Sequence, residues 1–244
     1  GDLFAQPFGA DGVVLTEAAL EGAAGKEHRA AALCAADAGL LPVVQGRAGG
    51  FQGAACPAET GAPGGTVSPA PARAEGAVGG NGKIYVSVGS SCNACVEKEK
   101  VRATVLEMNP DGSEQKIYAT GLRNAVGLKW VGKFLFATNQ GADHLGKNKP
   151  DETFYALKRD ADYGWPSCYS SNGKIFADPK FKRPTGCKNV PSPYAYFPAH
   201  SSALGFDYFD DPNTDDIIKN SFLVALHGST DAMIGHGYKI VIMR

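Results

Sequence analysis

GLRNAVGLKWVGKFLFATNQGADHLGKNKPDE, residues 121–152, decides how this chain is read. Its middle holds two short apolar runs, 125-AVGLKW-130 and 132-GKFLFATNQG-141, of the kind that form neighbouring β-strands. Its ends are different. An Arg-Asn pair, Arg123 and Asn124, sits between Gly121 and Gly127, and the second run passes straight into Asn139-Gln140-Gly141-Ala142-Asp143. A charged residue beside an apolar strand, followed by a glycine-hinged acidic loop, marks a site held on the rim of a β scaffold.

The pattern recurs along the chain. The run 82-GKIYVSVGSS-91 matches 132-GKFLFATNQG-141, and 221-SFLVALHGS-229 matches both, with 203-ALGFDY-208 before it as 125-AVGLKW-130 stands before the second. Gly82 and Gly132 are 50 residues apart, and the third copy follows somewhat under two such periods later. A period of roughly 40–50 residues with several strands per unit is the signature of propeller blades. Further strands are expected at 102-RATVLEM-108, 115-QKIYAT-120, 153-TFYAL-157 and 238-YKIVIM-243, with a turn at Asn109-Pro110-Asp111-Gly112. The acidic stretch 209-FDDPNTDD-216 reads as a solvated hairpin connection. The expected fold is therefore all-β, a β-propeller present as an incomplete set of blades. Three blades do not close a ring, so the sequence predicts part of a larger chain.

The first 80 residues do not share this character. Nearly half are Ala or Gly; Ile, Asn, Tyr, Trp and Met are absent, and Lys26 is the one lysine. Helix-like character is confined to 13-VVLTEAALEGAA-24 and 28-HRAAALCAADAGLL-41, and 57-PAETGAPGGTVSPAPARAEGA-77 reads as linker. The expected division is residues 1–78, an irregular Ala/Gly/Pro-rich segment, and residues 79–244, the partial propeller. Two origins fit the first segment: a flexible leader, or an altered reading frame of a GC-rich gene across residues 15–77. Neither reading gives it a function.

The totals exclude several partners. A formal net charge of −1 and a pI near 6.6 leave no basic surplus for nucleic acid. No apolar run approaches the roughly 20 residues that span a bilayer, and no signal-peptide pattern opens at Gly1. The six cysteines, Cys34, Cys56, Cys92, Cys95, Cys168 and Cys187, are an even set among Gly- and Pro-rich loops. Such a set fits structural disulfides in an oxidising compartment, with Cys168–Cys187 the first pairing expected. Cys92-x-x-Cys95 lacks the second half-motif of a zinc site and the following helix of a thioredoxin-like site.

Seven motifs then occur in one order: NGKIYVSVGSSCNAC (81–95), RATVLEMNPDG (102–112), GLRNAVGL (121–128), the NQGAD to PDE stretch (139–152), YGWPSCY (163–169), FPAHSSALGF (197–206) and ALHGS to GYK (225–239). Together they resemble the soluble quinoprotein dehydrogenase family of glucose, sorbosone and pyranose dehydrogenases, over about residues 79–241. The resemblance implies a six-bladed β-propeller that binds pyrroloquinoline quinone (PQQ) and calcium. It further implies oxidation of an aldose or related sugar at C1, with electrons passed to an acceptor such as a cytochrome or quinone. The location it implies is secreted or periplasmic.

On that resemblance the Arg-Asn pair acquires a chemistry. Arg123 matches a cofactor-binding arginine, whose guanidinium fork binds a carboxylate in a bidentate manner. Asn124 matches the adjacent asparagine, a donor to a quinone oxygen. Gly141 and Ala142 match the positions whose carbonyls hold calcium, an ion that favours oxygen ligands. Asp143, Asp151 and Glu152 supply nearby acidity. His200 and His227 sit at shared motifs, with His200 the stronger candidate for cofactor contact or proton transfer; His28, His144 and His236 receive no role. Tyr163 and Trp165 are expected to pack beneath the blade.

Two departures stand out. The family's base, a histidine shortly before the first matching strand, has no counterpart in 66-TVSPAPARAEGAVGG-80. Loss of such a base typically removes a factor of about 10² to 10⁴ in rate. Thr230-Asp231-Ala232 stands where the family often has Trp-Asn-Arg. Two rival readings follow: a calcium-supported propeller hydrolase of the lactonase kind, and a catalytically inactive propeller that binds a sugar or a protein.

Overall fold

Alternation of side chains along the strands determines how the sheets stack. The computed structural model describes residues 74–229 and 236–244, together with the backbone of a two-residue strand pair, β1 (Ala35–Ala36) and β2 (Gly39–Leu40). That pair falls in a stretch read as helix-like. The run 13–24, His28 and Thr230-Asp231-Ala232 lie outside the described residues.

Fourteen further strands follow in chain order. They are β3 (Ala74–Val78), β4 (Ile84–Val88), β5 (Thr104–Met108), β6 (Lys116–Thr120), β7 (Ala125–Val131), β8 (Phe134–Asn139) and β9 (Glu152–Leu157), then β10 (Ala161–Asp162), β11 (Cys168–Ser171), β12 (Lys174–Ala177), β13 (Ala195–Phe197), β14 (Ala203–Phe209), β15 (Ser221–Leu226) and β16 (Lys239–Met243). Three antiparallel sheets hold most of them. The first runs β3-β4-β5-β6 and takes β10 as a parallel edge; the second runs β7-β8-β9-β13; the third runs β14-β15-β16. A hairpin of β11 and β12 stands apart. Among the described residues the helical content is one 3-10 turn, Asp143–Leu145.

The middle sheet is apolar on both faces, which is why its strands lack a polar side. Leu135 and Ala137 of β8, with Tyr155 and Leu157 of β9, pack toward the first sheet against Tyr85, Val105 and Tyr118. Phe136 and Phe154, one position out of step, pack toward the third sheet against Phe206, Phe222 and Val224. Phe154 has no exposed surface and touches the rings of Phe136, Phe206 and Phe222 at centroid distances of 5.5, 4.8 and 5.1 Å. The matched strand openings also behave alike. In β7 the ladder to β8 shifts between Ala125 and Leu128, and in β14 the ladder to β15 shifts between Ala203 and Phe206. The repeat seen in the sequence is thus a repeat of bulged hairpins.

One ion pair ties the central strands of the first sheet, β4 and β5, to the loop after β9. Tyr85 and Glu107 are cross-strand partners, and the Tyr85 hydroxyl donates to Glu107 at 2.5 Å. Arg159 donates to both oxygens of that carboxylate, and these bonds hold Glu107 below the ordinary carboxyl range.

The first sheet begins inside the stretch read as leader. Ala74-Glu75-Gly76-Ala77-Val78 carries no strand pattern of its own, yet it pairs residue for residue with β4. Strand β4 is apolar on both sides and needs a partner on that edge, so tertiary pairing overrides the weak local preference.

Truncating Phe154 to Ala removes a ring from the contact between the second and third sheets. The expected cost is about 3–5 kcal/mol, read from the urea midpoint with the slope unchanged. A loss under about 1 kcal/mol would mean that this interface does not hold the sheets together.

Candidate functional site

The rim site is built from the loops that leave β4, enter β7, leave β8 and enter β14. Gly121 begins it. Its φ is +72°, and a Cβ there would lie 2.3 Å from Asp162 Oδ1 and 2.4 Å from the Gly164 nitrogen. That close approach lets Tyr163 and Trp165 donate backbone bonds to Thr120 and Gly121 at 2.9 and 3.1 Å. The YGWP turn is thereby seated beside the Arg-Asn pair. Tyr163 is buried against Tyr155, as its packing role requires, while Trp165 is partly exposed with a buried Nε1 that has no partner.

Arg123 is held by the loop after β4. Its Nε donates to the Asn93 carbonyl at 2.9 Å and its Nη2 to Asn93 Oδ1 at 3.1 Å. The same Oδ1 accepts the Asp143 N–H at 2.9 Å. Asp143 Oδ2 stands 3.9 Å from Arg123 Nη2. The Arg123 side chain is 17% exposed, and burial pulls its pKa below the ordinary arginine value against the opposing pull of Asp143 and Glu152. The Asn124 side-chain nitrogen donates to Gln140 Oε1 at 2.7 Å, and backbone bonds link Asn124 to Gln140 and Arg123 to Ser90.

The loop after β8 approaches the chain closely. A Cβ on Gly141 would meet Pro150 Cγ at 2.6 Å and the Asp151 carbonyl at 3.0 Å. Ala142 is buried and caps the 3-10 turn, so its carbonyl accepts the turn's first bond. The Gly141 carbonyl accepts no hydrogen bond among the described residues.

Glu152 is 3% exposed, and the Gly141 N–H donates to its carboxyl at a long 3.4 Å. Burial raises its pKa to about 8, outweighing the Gly141 N–H, the Arg123 charge and the Ala203 backbone. Asp151, by contrast, is fully engaged: it accepts from Ser170 Oγ and from the Asn172 and Gly173 amides. Asp151 thus fixes the β11–β12 hairpin.

His200 has φ +62°, a conformation that L-residues adopt rarely, and its ring meets Asp143 Oδ1 at 3.1 Å and the Gly146 carbonyl at 2.8 Å. Both ring nitrogens are thus engaged in holding the Asp143 loop. His144, given no role from sequence, meets Asp178 Oδ2 at 2.7 Å. His227 is exposed, and His236, given no role from sequence, is half-buried against the Ala199 carbonyl.

Arg123, Gln140, Gly141, Ala142, His144, Tyr163 and Trp165 line one cleft. The structure therefore brings together Arg123, Gly141 and Ala142 as the sequence expects, with Asn124 tied to their loop through Gln140. Sequence reasoning missed Asn93. Its ring is closed by a disulfide, Cys92–Cys95, and a second disulfide joins Cys168 to Cys187 as expected. The CxxC spacing was the available signal, and it gave no indication of what the loop between the cysteines binds.

No family model matches the sequence. An uncharacterized protein of Borreliella burgdorferi is 30% identical over 166 residues, which make up 67% of this chain and 43% of that protein. The holo form of the pyranose dehydrogenase PQQ domain from Coprinopsis cinerea superposes with a TM-score of 0.55 at 20% identity, covering 66% of this chain and 49% of its own. The calcium structure of a Trichoderma reesei carbohydrate-active enzyme of family AA12 gives a TM-score of 0.55 at 18% identity, covering 66% and 50%. The chain spans about half the length of the proteins it matches. These likenesses define the class of fold, an all-β architecture of the propeller kind.

The Glu152 carboxyl has a pH signature. Its pKa lies near 4.5 in the unfolded chain and near 8 in the folded one, so the folded state holds the proton more tightly between these values. Stability is then highest below about pH 4.5 on this account and falls as pH rises through 8. In a chelator-containing buffer, Glu152→Gln is expected to flatten that decline and to exceed the parent protein in stability at pH 9. Parallel thermal-unfolding profiles for the two proteins would refute this.

Proposed function

We propose that this rim binds PQQ together with a calcium ion, and that the chain is part of an oxidoreductase acting on an aldose or related sugar at C1. The observation that carries the reading is that Arg123 and the Gly141–Ala142 loop line the same cleft, where the Gly141 carbonyl is without a donor. A carbonyl without a protein donor, beside a buried carboxyl, fits a cation that takes oxygen ligands.

The donor set fits both groups. Gly141 and Ala142 offer carbonyl oxygens, Ala142 with the lone pair its turn does not use, and Glu152 and Asp143 lie beside them. Arg123 offers a pre-oriented cation to a carboxylate of the quinone, the role to which its fork is suited. When bound, the quinone and calcium supply the electrophilic two-electron acceptor that oxidation of a sugar hydroxyl requires.

The chain's own residues then bind and orient. Arg123 fixes one carboxylate, Asn124 presents an amide from a position set by Gln140, and buried Ala142 and Tyr163 wall the cleft against water. His200 contributes to cofactor binding by clamping the Asp143 loop; with both ring nitrogens engaged, it is not assigned as the proton acceptor. We assign no general base. The electron acceptor in this reading is a cytochrome or a quinone. A secreted or periplasmic location is supported by two disulfides, and among the described residues no helix is long and apolar enough to cross a membrane.

Purified protein in excess calcium is titrated with PQQ, then offered an aldose and a redox dye. Tight binding is expected, weakened roughly tenfold or more by Arg123→Ala, since a charge-assisted bond contributes about 1.5–3 kcal/mol. Dye reduction marks the dehydrogenase. Binding without reduction favours the inactive propeller, and no binding by folded protein rejects the reading.

A further inference from the structure

The loop after β4 does work that its exposure conceals. Asn93 lies on the surface, yet it is joined to both halves of the cleft. Its carbonyl and its Oδ1 take two nitrogens of Arg123, and Oδ1 also takes the Asp143 N–H, across sequence separations of 30 and 50 residues. The loop around it is braced at several points. The Ser90 N–H donates to the Arg123 carbonyl at 2.7 Å, and Ser90 Oγ to the Cys92 carbonyl at 2.7 Å. Glu97 accepts from both Ser91 N–H and Ser91 Oγ. The Cys92–Cys95 bond closes a ring of four residues with Asn93 inside it.

An exposed asparagine in an open loop would sample many rotamers and give up most of its bonds to water. A short disulfide ring removes much of that freedom. We propose that Asn93, held by the Cys92–Cys95 ring, is the positioning residue that aims the Arg123 guanidinium and fixes the Asp143 loop, so that the disulfide sets the affinity of the cleft for an anionic ligand. The part concerning ligand affinity rests on the PQQ reading. The positioning itself does not.

Two consequences follow from the geometry. Removing the Asn93 side chain leaves Arg123 with the backbone carbonyl alone and frees the Asp143 N–H. Opening the ring by Cys92→Ser with Cys95→Ser leaves every acceptor in place but loosens the loop that carries them. The two changes therefore act on the same contacts by different routes.

The test uses the full chain in two arms. In the first, nuclear magnetic resonance of ligand-free protein follows hydrogen exchange at Arg123 Nε and the Asp143 amide. Both are expected to be protected in the parent and to exchange about tenfold faster or more in Asn93→Ala and in the double serine variant. In the second, PQQ is titrated in calcium. Asn93→Ala is expected to weaken binding about tenfold in the parent but clearly less in an Arg123→Ala background, where only its contact with the Asp143 loop is left to lose. A loss as large without Arg123 as with it would show that Asn93 does not act through Arg123 and overturn the proposal. Unchanged exchange in the double serine variant would overturn the part played by the disulfide. A parent that binds no PQQ but loses protection as expected would reject the cofactor reading and leave the positioning role standing.

Discussion

A largely buried arginine side chain must find acceptors for its guanidinium, and the way Arg123 finds them organises the rim. Asn93 takes it from one sheet's loop, Asp143 stands against it from another, and His200 fixes Asp143 from the entry to the third. The chain of contacts therefore runs across the top of all three sheets. Because the partners lie on different loops, each contact fixes one loop relative to another. A site of this kind depends on the relative placement of the blades beneath it.

That placement comes from the middle sheet. A strand whose alternate residues are all apolar has no solvent face, so β8 and β9 must be sandwiched. Leu135 and Tyr155 face one core while Phe136 and Phe154 face the other, and a one-residue slip would exchange the two sets. The register shifts in β7 and β14, each at an edge of its sheet, then fall at matching points. The local twist that bulges introduce is consistent with their occurrence at the rim beside the cleft.

Much of this was legible in the sequence. The repeated apolar runs became β4, β8 and β15, and the openings before the second and third became β7 and β14. The motif residues Arg123, Gly141 and Ala142 meet in one cleft because they leave neighbouring strands at the same end. The β11–β12 hairpin was missed although its signal was present: Asn172 and Gly173, both with positive φ, form the two-residue Asn-Gly turn that joins strands most tightly. Strand β3 had no such signal, since Ala and Gly carry no pattern and only the edge of β4 makes them a strand. Asn93, the His144–Asp178 contact and the burial of Glu152 are long-range facts, set by which loops meet, and no local spacing encodes them.

The central claim is that the Gly141–Ala142 loop and Arg123 form one site that holds a cation and an anion together. Calorimetric titration of calcium in the absence and presence of PQQ, and of PQQ in the absence and presence of calcium, tests it directly. The account predicts that each ligand tightens the other by the same factor, as linkage through a shared site requires. Calcium and PQQ affinities that are independent of one another would contradict it.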